Sequence, residues 1–85
     1  MSRDARAATL ALLAGRAPGA TLCPSEVARA LAAASGEEDW RREMQGVHEA
    51  VDGLVADGLV GLSWKGVAMA LRDGPYRIGR APAGE

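Results

Sequence analysis

Apolar residues recur every three or four positions through the first two thirds of the chain, and every second position thereafter. Between Asp4 and Gly15 good helix formers dominate, with Leu10, Leu13 and Ala14 on one side, predicting a first helix. Gly15 or Gly19, with Pro18 between them, ends it. Ala20-Thr21-Leu22 is too short for an independent strand and is expected to add one rung to a sheet formed elsewhere. A second helix is predicted to open at Cys23-Pro24-Ser25-Glu26, because Pro suits the first helical position, where its missing N–H would be unpaired anyway. That places Cys23 at the N-cap and Glu26 three residues on, the spacing of a capping box with a thiol in place of the usual hydroxyl. Val27, Ala30, Leu31 and Ala34 supply its apolar stripe.

Ser35-Gly36-Glu37-Glu38 reads as a turn and as the start of a third helix, predicted from Glu37 to Asp57. At 100° per residue Trp40, Met44, Val47, Val51, Leu54 and Val55 fall in one narrow arc, and Gly58 closes the helix. Leu59 to Lys65 alternates as a strand, with Val60, Leu62 and Trp64 on the apolar side. Residues 67–72 fit either a helical turn or an extended wing, and Tyr76 to Arg80 supplies a returning strand with Ile78 facing inward. A lone hairpin is marginal in water and needs helices over its apolar face. The expected architecture is therefore α+β and mostly α: a winged helix (winged helix-turn-helix) of three helices plus a small antiparallel β-wing. Residues 1–80 are read as one domain and 81–85 as a disordered tail.

Cys23-Pro24-Ser25-Glu26-Val27-Ala28-Arg29, Trp40-Arg41-x-x-Met44-x-x-Val47, Lys65-Gly66 and Gly74-Pro75-Tyr76-Arg77-Ile78 together resemble a bacterial family catalogued as domain of unknown function 3253. The resemblance runs from about Leu10 to Arg80. It implies a winged-helix-like fold and no established substrate.

Composition narrows the partners. Apolar residues make up 48% and charged residues 25%, which fits a globular chain rather than a disordered one. The absence of Phe leaves the core to Leu, Val, Ala and Met, anchored by Trp40, Trp64 and Tyr76. Apolar runs are short, so no membrane span is expected; one cysteine, no disulfide and no leader segment point to a cytoplasmic protein. The net charge of −1 is segregated: residues 37–58 set Arg41 and Arg42 against seven acids, while both flanks are basic.

Two classes of function follow. As a nucleic-acid module, the domain would present Arg41, Arg42 and Gln45 from the start of the third helix to base edges, while Lys65, Arg72 and Arg77 hold phosphates from the wing. Glu49 and Asp52 on the same helix face oppose that use. As a protein-interaction module, it would use the acidic helix. Gly46, Ala50 and Gly53 form a small-residue stripe on it, suited either to close packing of the first helix or to a homodimer seam. Cys23 is a candidate reactive thiol, since a helix N-terminus favours the thiolate, although Glu26 one turn away works against it. His48 sits at the edge of the buried arc, with no second His to build a metal site. No nucleophile–base order, phosphate loop or cofactor motif is present, so an enzyme, a cofactor and a small-molecule substrate are not expected.

Overall fold

Helix starts and stops follow local chemistry. In the computed structural model, which describes residues 2–81, three helices are followed by three strands: α1 (Ser2–Ala14), α2 (Pro24–Ser35), α3 (Met44–Ala56), β1 (Val60–Trp64), β2 (Val67–Met69) and β3 (Arg77–Arg80). The fold is α+β and compatible with a winged helix. Except for Ala81, the expected tail lies outside the described residues.

At the start of α2 the Glu26 carboxylate accepts a 2.9 Å hydrogen bond from the Cys23 N–H. That bond and then the Arg16 guanidinium hold Glu26 below the usual carboxylate range, against the opposing effect of burial. The expected continuous helix from Glu37 to Asp57 is corrected. Gly36 takes the left-handed conformation at φ 74° and ends α2, so Glu37 and Glu38 lie in no helix. Ser35 does not start the next helix; as the last residue of α2, its hydroxyl bonds back to the Leu31 and Ala32 carbonyls. The start passes instead to Asp39, whose side chain accepts from the Arg41 N–H at 3.2 Å and caps a 3-10 turn, Trp40–Glu43, leading into α3.

The core collects on the inner face of α3. Val47, Val51 and Leu54 are fully buried, as the arc requires, with Trp40, Met44 and Val55 packed around them. The inner faces of α1 and α2 differ from the expected stripes. On α1 the buried row is Ala5, Thr9 and Leu13, and Ala14 is exposed; on α2 Ala28 and Ala32 join Val27, and Ala34 is exposed. The α1 row lies where that helix packs along α3. Thr9 is tolerated there because its hydroxyl donates to the Ala5 carbonyl at 2.8 Å, so its own polar atom is paired.

The sheet runs β2-β1-β3, antiparallel throughout. Residues 67–72, left open between turn and wing, contain β2. Lys65 and Gly66 both have positive φ, 52° and 82°, which suits a two-residue hairpin turn whose twist matches that of the strands. Leu22 supplies the expected rung, exchanging two 2.8 Å backbone hydrogen bonds with Ile78. Val60, Leu62 and Ile78 point into the core. Trp64, expected to anchor the core with them, is 39% exposed at the end of β1.

Candidate functional site

Of the six residues expected to meet nucleic acid, Arg72, Arg77 and Gln45 are held by hydrogen bonds, while Arg41 and Arg42 stand 75% and 74% exposed beside carboxylates. Arg72 grips Asp52 with two bonds, Nε to Oδ1 at 2.6 Å and Nη2 to Oδ2 at 2.8 Å. The Arg72 bond holds the Asp52 carboxyl below its usual range, and Arg72 in turn is held above its own. Arg77 on β3 donates through Nε to the Thr21 hydroxyl at 2.7 Å, through Nη2 to the Thr21 carbonyl at 3.2 Å and through Nη1 to Cys23 Sγ at 3.1 Å. It is a clamp between the sheet and the start of α2. Gln45 donates to Glu49 at 3.1 Å. Arg42 lies 3.5 Å from Glu37, and Arg41 lies 3.7 Å from Asp39 and 5.0 Å from the Trp40 ring centre. Trp40 is thus a cation–π partner, with the Arg29 guanidinium a further 4.6 Å contact. Lys65, at the hairpin tip, makes no ion pair among the described residues.

The small-residue stripe is split by its surroundings. Ala50 is buried in the core, Gly53 faces Arg6 of α1, and Gly46 has open space where a Cβ would be. Asp57, out of place at the negative end of a helix dipole, is matched by Arg6 at 2.8 Å.

Cys23 is half-buried on one wall of a surface groove of about 410 Å³ between the start of α2, the start of α3 and the wing. Pro24, Met44, Trp64, Pro75 and Tyr76 line the rest, with His48 and Ser25 as its polar members. At the floor His48 Nδ1 and the Tyr76 hydroxyl are 2.8 Å apart. Burial, then the Arg72 charge, push the His48 pKa below its ordinary value, with Asp52 opposing. Burial drives the Tyr76 hydroxyl up to about 12. At neutral pH both groups are therefore uncharged, and the bond joins a neutral imidazole to a neutral phenol. Sequence spacing gave no sign of this pair, whose members stand 28 residues apart; nor did it reveal that Arg77 reaches Cys23.

A second apolar feature lies on the wing. Trp64 and Val67 face each other across the hairpin, and Val67 and Leu71 are 68% and 76% exposed. No helix among the described residues is long and apolar enough to cross a membrane.

These features define a small α+β domain with an open wing and an apolar groove. A family model described as "Protein of unknown function (DUF3253)" matches residues 2–81, and the chain belongs to that family. No curated protein matches it.

Proposed function

We propose that the domain is a protein-interaction module that works through the wing. The observation that carries this reading is the contrast in what is left unengaged. Arg72 and Arg77, expected to hold phosphates, are tied to Asp52 and to Thr21 and Cys23, whereas Trp64, Val67 and Leu71 stand exposed together on or beside one hairpin. Large apolar groups clustered at a surface mark contact sites for other macromolecules. Helix α3 adds Glu49 to its outer face, where a duplex would repel it, and Asp52 there is matched by Arg72.

The test is an anisotropy titration of generic duplex DNA at about 50 and 200 mM salt. The interaction reading expects no saturable binding at low micromolar protein in either buffer. Binding that weakens tenfold or more with salt, and is lost in Arg41→Ala or Lys65→Ala, would replace it with the nucleic-acid reading.

A further inference from the structure

We infer that β2 is a pairing edge for a second copy of this chain, joined strand to strand and antiparallel across Ala68. The inference rests on the protein-interaction reading and names its partner. Trp64 and Val67 close the two-residue turn and so form a hydrogen-bonded pair, which makes Ser63 and Ala68 the alternating pair without ladder bonds. Ala68 therefore turns its N–H and C=O away from β1. On the other side of β1 the same alternation turns the backbone groups of Ile78 outward, where Leu22 takes both of them. At β2 no hydrogen bond among the described residues reaches those of Ala68.

Natural sheets blunt such an edge with a charge, a proline, a bulge or a cover. The run Val67-Ala68-Met69-Ala70-Leu71 carries no charge and no proline, and Val67 and Leu71 are among the most exposed apolar side chains of the domain. A second copy fits it by symmetry and by charge. A two-fold axis at Ala68 sets Val67 of each copy opposite Met69 of the other, with alanine against alanine at the centre. Lys65 at one end of the run and Asp73 beyond the other are exposed, with no ion-pair partner among the described residues, while Arg72, between the run and Asp73, is already matched by Asp52. Antiparallel pairing brings the lysine end of each copy to the aspartate end of the other; parallel pairing would bring lysine to lysine. Strands of three residues bury less than the roughly 1,200 Å² of a stable interface, so the association is weak and grows with concentration.

Sedimentation equilibrium of the full 85-residue chain from about 10 µM to 1 mM tests it. The mass is expected to climb from 8.8 kDa toward twice that value. Ala68→Pro, which removes an outward N–H and no ladder bond, and Val67→Lys should both hold it at one chain, with unchanged melting curves showing that they fold. Lys65→Glu should weaken association about fivefold, and adding Asp73→Lys should restore it. A mass fixed at one chain, or a dimer indifferent to both edge variants, overturns the inference. A single-chain mass combined with slowed hydrogen exchange at Ala68 on adding an unrelated extended peptide assigns the edge to a foreign strand; that outcome overturns self-pairing and leaves the interaction reading standing. Salt-sensitive DNA binding would sink the interaction reading itself, whatever the mass.

Discussion

The two edges of the small sheet are treated in opposite ways. Beyond β3, Leu22 closes the ladder with two backbone bonds, and Thr21 comes so near that a Cβ on Gly79 would stand 3.3 Å from its methyl group. Arg77 clamps the α1–α2 connection, while Arg80 donates to the carbonyls of Leu13 and Arg16 at 3.0 and 2.9 Å. Beyond β2 nothing among the described residues closes the ladder, and the stretch after it is held by one arginine fork from Arg72 to Asp52. The lesson concerns the use of charge. Arginines at the covered edge bond backbone carbonyls at a helix end and in a connection, tying both to the sheet. The open edge is bare of charge along its strand.

The largest test of this contrast is truncation on each side. Leu22 is fully buried beside Ile78, so Leu22→Ala removes packing and leaves a cavity; a loss of about 3 kcal/mol is expected in urea denaturation. Val67→Ala, at 68% exposure, should change stability by less than about 0.5 kcal/mol. Equal losses would mean that the two edges are held alike.

Next in size is the clamp. Arg77→Met keeps the apolar stem but abandons three acceptors, and a loss of about 1–2 kcal/mol is expected. Arg77→Lys should recover less than half, because a single ammonium cannot span the Thr21 hydroxyl, its carbonyl and the Cys23 sulfur as a planar fork does. If lysine restores full stability, the clamp is only a charge effect.

Part of this contrast was legible in the sequence. Long aliphatic residues at helical spacing placed the inner face of α3, because only one arc holds Val47, Val51 and Leu54. The Cys23-Pro24-Ser25-Glu26 start and the rung at Leu22 followed from local chemistry and from the hairpin's need for cover. The break before α3 was hidden because Ser35-x-x-Glu38 and the Gly36 stop compete for the same four residues, and the stop won. Alternation grouped Trp64 with Val60 and Leu62 but says nothing about how completely each position on that face is covered. Strand β2 had one clear marker, the Lys65-Gly66 turn, whose two-residue length demands a partner strand directly after it. The arginine partners could not be read at all: Arg72 and Asp52 stand 20 residues apart, Arg77 and Thr21 56, and only the closed fold brings them together.

A pH series probes the joint between His48 of α3 and Tyr76, just before β3. His48 has a folded pKa below the ordinary 6.5, so between those two values the unfolded chain binds more protons and stability rises with pH. Stability is therefore complete above about pH 6.5 and declines as pH falls below it. Glu26 and Asp52, both depressed when folded, extend the decline below their ordinary 4.5 and 3.8. His48→Gln, which can still hydrogen-bond the Tyr76 hydroxyl, should flatten the urea midpoint between about pH 7 and 5 and leave the steeper acid limb intact. A slope unchanged by that substitution would show that His48 charges at no cost in the fold.

The smallest effect belongs to the fork on the open side. Its side chains are 34% and 51% exposed, so water screens most of the attraction, and a double-mutant cycle with Arg72→Ala and Asp52→Ala should give a coupling of about 0.5 kcal/mol. Raising salt to about 1 M should shrink that coupling further, since the screening length falls to roughly 3 Å. The positional consequence outweighs the energy. Arg72 stands three residues past the end of β2 and ties that stretch to the middle of α3, so Arg72→Ala should speed hydrogen exchange in Val67 and Met69, whose N–H groups face β1, and leave Ile78 protected by Leu22. Faster exchange at Ile78 as well would mean that the sheet opens as one unit, and that its covered edge depends on its open one.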